Sequence, residues 1–362
     1  MPNGSDWHSS RSGVLMRVKS TTKEISPLRL GFVPLSDCAP IAVAMEMGLF
    51  KKHGLKVILT RELGWASVRD KIFYGDLDAA QSISGIAFSL AMGAGNVRRK
   101  IALPLVLNLH GNAITLSKER LDPILIGAGE GLLSYLTHSW KRDRPFTMAA
   151  PHRFSSHHIL LHTWLQRHGL LNSDLIEIVF LPPPLMPRHL KADHIDGYCV
   201  GEPWNSASIL TGNGWCPAVS AEISHGHPEK VLLVDGRFLD SRREDTIALT
   251  AALLEACKMC DDESFRPEMV KILSRKEYTG VSAEVLANSM GKKFDSGGGS
   301  NSTAPFHLFH GPQVNPPTLD KASWTLSGLR DLELVKKGST SILSEIYRND
   351  LYEEAIASRA FA

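Results

Sequence analysis

The chain has 362 residues, 43% of them hydrophobic, and its 40 basic and 38 acidic residues leave a net charge of +2. A chain of this length is expected to form two domains, because single hydrophobic cores stop growing at roughly 250–300 residues. The near-neutral charge excludes the basic surface typical of nucleic-acid-binding proteins, so we predict no direct contact with nucleic acid.

Residues 1–26 form a polar N-terminal extension in which the only apolar run covers residues 14–16. A signal peptide needs an apolar core of about 7–15 residues, and a transmembrane helix needs about 18. We therefore expect no signal peptide, no membrane insertion and a cytoplasmic protein. The odd number of cysteines, five, also favours a reducing compartment.

Strand and helix patterns alternate from Leu28 onwards. Strands are predicted at 28–35, 55–62, 77–81 and 101–109, and helices at 36–54, 66–74 and 83–95. Asp37 is a candidate N-cap of the first helix, and Gly54 is expected to end it. Such alternation is typical of parallel βαβ units.

A second set of the same patterns follows in the middle of the chain. Strands are predicted at 145–150, 176–182 and 195–201, and helices at 156–168 and 186–194. The remainder is mostly helical, over 245–262, 267–278 and 282–291, followed by an irregular Gly-, Ser- and Pro-rich loop at 295–319. The predicted fold class is therefore α/β, in two units.

The sequence contains no recognisable metal-binding motif. His158 and His162 are four residues apart in a predicted helix, which places two imidazoles on one face, but no third ligand is evident. Cys257 and Cys260 form a C-x-x-C inside another predicted helix, without a second cysteine pair. We predict neither a metal nor another cofactor.

Catalytic motifs are also missing: the sequence has no G-x-S-x-G, Walker A, strand-linked G-x-G-x-x-G or H-E-x-x-H. We therefore expect a binding protein and not an enzyme. An enzyme that uses His157 and Glu202 as an acid–base pair is the alternative from a different class.

Two predicted helices begin with a side chain that can donate a hydrogen bond. Trp65 lies between Gly64 and Ser67 at the start of one helix, and His157 starts another. Free backbone N–H groups at a helix N-terminus favour anions, and an indole N–H donates without accepting. These residues are candidate anion ligands, although Trp65 also fits a core position between lobes.

Two further donors flank predicted strands. Asn112 follows one strand and offers a side-chain NH₂ group, and Lys230 precedes another and offers a positive charge. Each residue alone also fits an ordinary surface position. Together with Trp65 and His157, they predict a site for a small oxyanion.

The stretches that carry these residues resemble the nitrate- and bicarbonate-binding (NrtA/CmpA-like) components of bacterial ABC importers. They are LRLGFVPLSDCAPIAVAMEMGLFKKHGL, GWASVRDKI, LNLHGNAI, HHILLHTWL, VFLPPPLM, YCVGEPWN and HPEKVLL. The resemblance implies that Trp65, Asn112, His157 and Lys230 are the anion ligands. Asn112 stands where the nitrate importers have Gln. Lys230 stands where bicarbonate-binding relatives have an acidic residue, which implies a proton-free anion such as nitrate or nitrite.

The resemblance also implies a type II periplasmic-binding-protein-like fold, with two α/β lobes, a hinge and a central cleft. Chain crossings are then expected near residues 113–117 and 231–235. The expected units are lobe I at 27–114 plus 234–345, lobe II at 115–233 and a C-terminal tail at 346–362. Closure of the lobes on the anion is expected to couple binding to a conformational change.

Five more residues are candidates for the cleft or hinge: Gly64, Ser67, Gln81, Glu202 and Trp204. The first two flank Trp65 at the start of its helix. Glu202 and Trp204 belong to the VGEPW stretch, and we expect Glu202 to tie this stretch to the hinge. No catalytic role is predicted for any of them.

The segment after Trp65 runs straight into its helix, without a longer glycine-rich insert seen in the nitrate importers. With the expected cytoplasmic location, this resembles the NasS-type cytoplasmic nitrate/nitrite sensors. That resemblance implies a partner, a NasT-like antiterminator protein of nitrate assimilation genes. The alternative is the substrate-binding component of a nitrate-, sulfonate- or bicarbonate-type ABC importer.

Overall fold

The computed structural model describes residues 26–94, 97–121, 123, 131–140, 143–171, 174–291, 293–298, 301–302, 306–335 and 341–359. The N-terminal extension, apart from Ser26, lies outside these residues. Within them, no helix is both long enough and apolar enough to cross a membrane. No disulfide links the five cysteines, all of which are buried.

The described strands and helices alternate over most of the chain. The strands are β1 (Leu28–Phe32), β2 (Val57–Arg61), β3 (Ala79–Ile83), β4 (Ile101–His110), β5 (Asn112–Ser117), β6 (Phe146–Ala150), β7 (Ile176–Phe180), β8 (Gly197–Gly201), β9 (Gly214–Val219), β10 (Pro228–Asp235), β11 (Phe294–Asp295), β12 (Asn301–Ser302) and β13 (His307–Leu308). The α-helices are Ala39–Glu46, Leu49–Lys52, Trp65–Tyr74, Ser84–Met92, Gly131–His138, Ser156–Arg167, Met186–Lys191, Trp204–Leu210, Ser220–Ile223, Gly236–Ser241, Arg243–Asp261, Arg266–Leu273, Ala283–Met290, Leu319–Asp331, Ile342–Ile346 and Asn349–Arg359.

Two larger sheets organise the molecule. The first has the strand order β13-β4-β10-β3-β1-β2, and the second has the order β7-β6-β8-β5-β9. Strands β1, β2 and β3 run parallel, as do β6, β7 and β8, whereas β10 is antiparallel to both of its neighbours. We call the parts built on these sheets the first and second lobes. They confirm the predicted two-lobed α/β fold.

Helices cover both faces of the first sheet. Along β10, Leu232 and Val234 pack into one hydrophobic cluster, while Val231 and Leu233 pack into another. Neighbouring side chains of a strand point to opposite faces, so a strand buried on both sides needs an uninterrupted apolar run. This explains why VLLV follows the polar residues at the start of β10.

The chain passes between the sheets at Gly111, one residue after β4 ends and one before β5 begins. Gly111 has φ +100°, and a Cβ atom there would lie 2.5 Å from the ring of His307. Glycine is suited to this position because it tolerates positive φ and adds no side chain. The return crossing lies between the end of β9 and the start of β10.

These crossings differ from the expected ones. Residues 113–117 lie within β5 in the second sheet, and residues 231–235 lie within β10 in the first. By sheet membership, residues 112–114 therefore move to the second lobe and residues 228–233 move to the first. Local patterns identify a strand but not its sheet, because pairing partners are distant in sequence.

The segment that we set apart as a C-terminal tail joins the first lobe where the structure describes it. Helix Asn349–Arg359 buries Leu351 and Ala355 completely in the hydrophobic core of that lobe. Tyr347 forms an isolated β-bridge to Leu103 of β4.

The first predicted helix, residues 36–54, is divided into three pieces. A 3₁₀ turn at Ser36–Cys38 precedes helix Ala39–Glu46, and Gly48, at φ +69°, separates it from helix Leu49–Lys52. The prediction that Asp37 caps the helix is wrong, because its side chain bonds to Gln81 and Lys230 instead. The Asp37 carboxylate therefore forms a long-range ion pair with Lys230 and does not cap the helix.

A buried polar site between the lobes

Lys230 lies at the centre of a buried group of charged side chains. Its Nζ atom is 2.8 Å from Asp37 Oδ2 and also pairs with Glu229 Oε1. The side chains of all three residues have 0% exposure. The same ammonium lies 5.3 Å from the centre of the Trp65 ring, within the range of a cation–π contact.

An irregularity in β10 brings Glu229 and Lys230 to the same site. Adjacent side chains of a regular strand point to opposite faces. Here the pairing with β4 shifts register on both sides of Lys230, with Pro228 opposite Leu109 and Lys230 opposite Asn108. Such bulges redirect side chains. As a result, the Glu229 carboxylate and the Lys230 ammonium both point into the same site.

The three charged groups shift one another's pKa values. Burial acts to lower the pKa of Lys230, but Asp37 and Glu229 outweigh it and raise that pKa, so the ammonium stays charged. Burial also opposes ionisation of Glu229, yet Lys230 holds its pKa below the usual range. For Asp37, burial dominates and raises the pKa to about 6.

The second lobe contributes the start of helix Ser156–Arg167. Ser156 Oγ donates to Glu229 Oε1 at 3.0 Å, and His157 Nε2 lies 3.4 Å from the same oxygen. The Ser155 side chain caps the helix by accepting from the backbone N–H of His158. Burial lowers the pKa of His157 to about 3, so its imidazole is neutral near pH 7.

Asn112 approaches Asp37 across Gly201. A Cβ atom on Gly201 would lie 3.2 Å from Asn112 Oδ1 and 3.5 Å from Asp37 Oδ2. The backbone N–H of Asn112 donates to Ser220 Oγ at 3.2 Å, which secures the start of β5. All four predicted ligands, Trp65, Asn112, His157 and Lys230, thus lie in one buried region, with Asn112 supplied by the second sheet instead of lobe I.

Several polar atoms of this region find no hydrogen-bond partner within the described protein. They include Trp65 Nε1, Nδ2 and Oδ1 of Asn112, and His157 Nδ1. An unsatisfied buried polar group costs about 1–3 kcal/mol. A small ligand that accepts hydrogen bonds would satisfy the indole, amide and imidazole donors at once.

The remaining predicted residues support this region in different ways. Gln81 accepts from the backbone of Val33 at 3.0 Å and donates to Asp37 Oδ1 at 2.7 Å, so it orients that carboxylate. Gly64 precedes helix Trp65–Tyr74, and its carbonyl accepts from Ser67 Oγ at 2.8 Å. The Ser67 hydroxyl therefore donates within the first turn of its own helix.

Glu202 and Trp204 lie where the lobes meet. The backbone N–H of Glu202 donates to Gly111 at the crossing (3.2 Å), and its carbonyl accepts from the N–H of Ser36 (2.6 Å). Trp204 packs against hydrophobic clusters of both lobes, and its Nε1 has no partner within the described protein. Burial raises the pKa of the Glu202 carboxyl to about 7.

Sequence reasoning missed the acidic half of the site. The local pattern around Asp37 predicts a helix cap, and Glu229 is marked in the sequence only by its position beside Lys230. It also missed His227, whose Nδ1 is 3.7 Å from Glu229 Oε2, and His307 on β13. Burial lowers the pKa of each imidazole to about 3. The adjacent opposite charges of Glu229 and Lys230 could have indicated an ion pair. In a regular strand, however, their side chains would point to opposite faces, and only the bulge in β10 directs both into the site.

Comparison with known proteins identifies relatives over most of the chain. The sequence profile of the NMT1-like family matches residues 21–274. The nitrate import ATP-binding protein NrtC of Synechocystis sp. (strain ATCC 27184 / PCC 6803 / Kazusa) is 35% identical over 339 residues, which cover 91% of this chain and 49% of NrtC. The nitrate/nitrite binding protein NrtA of Synechococcus elongatus (strain ATCC 33912 / PCC 7942 / FACHB-805) is 29% identical over 348 residues, covering 92% and 78%.

Among solved structures, the periplasmic nitrate-binding protein NrtA from Synechocystis PCC 6803 has a TM-score of 0.84 at 22% identity, covering 92% of this chain and 89% of its own. The alkanesulfonate-binding protein SsuA from Xanthomonas axonopodis pv. citri has a TM-score of 0.64 at 15% identity, covering 91% and 98%. At these identities the likeness shows the fold alone. The chain spans about half the length of the first curated relatives that it matches. The profile match covers more than half of this chain, and the chain therefore belongs to the NMT1-like family.

Proposed function

We propose that this protein binds nitrate or nitrite in the buried site between its lobes. The observation that carries the proposal is the set of unpartnered donors on Trp65, Asn112 and His157 beside the charged Lys230. A flat monoanion has acceptor oxygens in several directions and can meet these donors together. The nitrate- and nitrite-binding relatives support the same ligand class.

Because the site has no solvent exposure, a ligand can enter only when the lobes move apart. Donors come from both lobes, with Trp65 and Lys230 on the first, and Asn112 and His157 on the second. An anion that contacts all four binds the closed arrangement better than an open one. Its binding energy therefore shifts the equilibrium towards closure.

Calorimetric titration of the purified chain with nitrate, nitrite, bicarbonate and an alkylsulfonate tests the ligand class. We expect nitrate or nitrite to bind more tightly than the other two. Failure of both nitrogen oxyanions to bind, with or without binding of another anion, would contradict the proposal.

Replacement of Trp65 by phenylalanine should weaken nitrate binding by about 1–3 kcal/mol, because the variant keeps an aromatic ring but loses the indole donor. The matched control is Trp140→Phe, which removes an indole N–H that donates to the backbone of Arg144 at 3.0 Å in the second lobe. Titration of both variants should show weaker affinity only for Trp65→Phe. Equal nitrate affinity in Trp65→Phe and the parent protein would remove the indole from the ligand set.

The wider role that we favour is that of a cytoplasmic sensor, in which anion-driven closure releases an antiterminator protein of nitrate assimilation genes. The NasS-like segment after Trp65 supports this role. The five buried cysteines, none in a disulfide, are typical of a reducing compartment. Co-purification with a NasT-like antiterminator, lost when millimolar nitrate is added, is the expected result. A complex that is indifferent to nitrate would oppose the sensor role.

A second candidate function is the substrate-binding component of an ABC importer. It is favoured by the names of the relatives, which include nitrate import and bicarbonate transport proteins. Cell fractionation separates the two roles. Recovery with membrane or periplasmic fractions would select the importer, and recovery in the cytosol would select the sensor.

A further inference from the structure

The buried site holds more negative than positive charge. Lys230 contributes one ammonium, whereas Asp37 and Glu229 contribute two carboxylates within reach of its Nζ atom. A third carboxyl group, Glu202, is also completely buried, and its Oε2 accepts from the N–H of Ser206 at 3.3 Å. A proton-free anion that enters this region therefore meets a site that is already negative.

The histidines around the site do not balance this charge. His157 and His227 approach Glu229 at 3.4 Å and 3.7 Å, and His307 lies on β13 at the edge of the first sheet. All three rings are buried, and burial keeps them neutral near pH 7 by lowering each pKa to about 3. Among the described residues, Lys230 is thus the one charged cation that pairs with Asp37 and Glu229.

The groups that face Asp37 come from four elements. Lys230 and Glu229 act on it from β10, Gln81 donates to it from β3, and Asn112 lies across Gly201 on β5. On its own 3₁₀ turn, burial raises the pKa of the Cys38 thiol, which stays neutral. Apart from Lys230, no described group in these contacts offers a positive charge to an entering anion.

Asp37 is better placed than Glu229 to lose its charge. Glu229 Oε1 accepts hydrogen bonds from Lys230 and Ser156, and both favour its ionised form. Asp37 has two partners, Lys230 and Gln81, and its pKa of about 6 puts protonation within the physiological range. An anion beside Asp37 would favour protonation further, because two like charges in a solvent-excluded site repel each other strongly.

We infer that the site takes up a proton-free monoanion together with one proton, which passes from bulk solvent to the Asp37 carboxylate and returns to solvent when the anion leaves. This inference rests on the proposed function and adds to it. A protonated Asp37 removes one negative charge and turns an acceptor into a donor. The acidic residues then permit nitrate binding while making its affinity depend on pH.

The sign of the pH dependence follows from Asp37. Below about pH 6 the free protein already carries the proton, so nitrate affinity should be nearly constant. Above about pH 6 the proton must be taken up on binding, so affinity should fall by up to about tenfold per pH unit. Calorimetry of the full chain with sodium nitrate, at about pH 6, 7 and 8 and constant ionic strength, measures this slope.

Proton uptake can be counted without any variant. Titration with nitrate at about pH 8 in phosphate and in Tris, two buffers of different ionisation enthalpy, should show uptake of about one proton per nitrate. Zero uptake with pH-independent affinity would overturn the inference and leave nitrate binding intact. No nitrate binding at any of these pH values would overturn both the inference and the proposed function.

Two variants test which carboxyl group receives the proton. Asp37→Asn should abolish the pH slope and bind nitrate up to about a hundredfold more tightly than the parent chain near pH 8, because the repelling charge is gone and no proton has to be taken up. Glu202→Gln is the matched control and should keep the slope. Loss of the slope in Glu202→Gln with its retention in Asp37→Asn would overturn the assignment to Asp37.

Discussion

Replacement of Lys230 by methionine is expected to lower the free energy of unfolding by about 3–5 kcal/mol near pH 8, because two buried carboxylates lose their common cation. Asp37 and Glu229 have no solvent exposure, so water cannot replace the ammonium. Methionine keeps the approximate length and apolar stem of lysine, which separates loss of charge from loss of packing. Urea denaturation of the parent chain and the variant measures the difference.

The loss of unfolding free energy caused by Lys230→Met should become smaller as the pH falls. Without the ammonium, the pKa values of Asp37 and Glu229 in the folded state rise further, since the charge of Lys230 acts to lower both. A folded-state pKa above the unfolded value contributes stability at low pH that is lost as pH rises through it. Denaturation near pH 5 should therefore show a smaller difference between variant and parent than denaturation near pH 8.

The control for this experiment is Lys52→Met. Lys52 pairs with Glu255 at 2.7 Å, but its side chain is 60% exposed. An exposed pair is worth about 0–1 kcal/mol, so this variant should stay close to the parent at both pH values. If Lys230→Met loses no more stability than Lys52→Met near pH 8, the buried ion pair does not have the role assigned to it.

Replacement of Gly85 by alanine is expected to weaken nitrate binding by about 1–3 kcal/mol, because it inserts a methyl group where the lobes touch. Gly85 lies in helix Ser84–Met92 of the first lobe, against the backbone carbonyl of Phe154 in the second. A Cβ atom would come closer than 3.0 Å to that carbonyl oxygen, so the lobes must separate to accommodate it. Fewer molecules are then competent to close on the anion.

The first lobe itself should tolerate Gly85→Ala, since alanine favours a helix over glycine by about 1 kcal/mol. The matched control is Gly328→Ala, where the new Cβ atom would meet the side chain of Ile159 across the same interface. The clash at Gly328 is with side-chain atoms and is less severe than the clash with a backbone carbonyl at Gly85, so the control should lose less affinity. Calorimetry with nitrate gives the affinities. A Gly85→Ala affinity equal to that of the parent would show that this contact does not limit closure.

Much of the architecture was predictable because it depends on local patterns. Alternating apolar stretches and helical periodicity correctly predicted the strand Phe146–Ala150 and the helix Ser156–Arg167 to within a few residues. The two α/β units followed from the repetition of these patterns, and their arrangement as two lobes followed from the family resemblance. The helix predicted at residues 36–54 was less accurate, since Gly48 at positive φ interrupts it.

The candidate site was predicted in part. Trp65, Asn112, His157 and Lys230 could be selected because each lies beside a predicted strand or at the start of a predicted helix, where loops converge in α/β folds. The structure places them in one buried region, while their role as ligands stays a prediction. The carboxylates of Asp37 and Glu229 were not foreseen, because nothing local shows that they share one cation.

Local composition and periodicity were sufficient for the types of element, the two α/β units and the hydrogen-bond donors at their ends. The path of the chain between the sheets and the charge balance around Lys230 were decided only by tertiary packing. The physical reason is the same for both. Strand pairing, burial and ion pairing join residues as distant as Asp37 and Lys230, and an ionised group acquires its energy from neighbours that are remote in sequence.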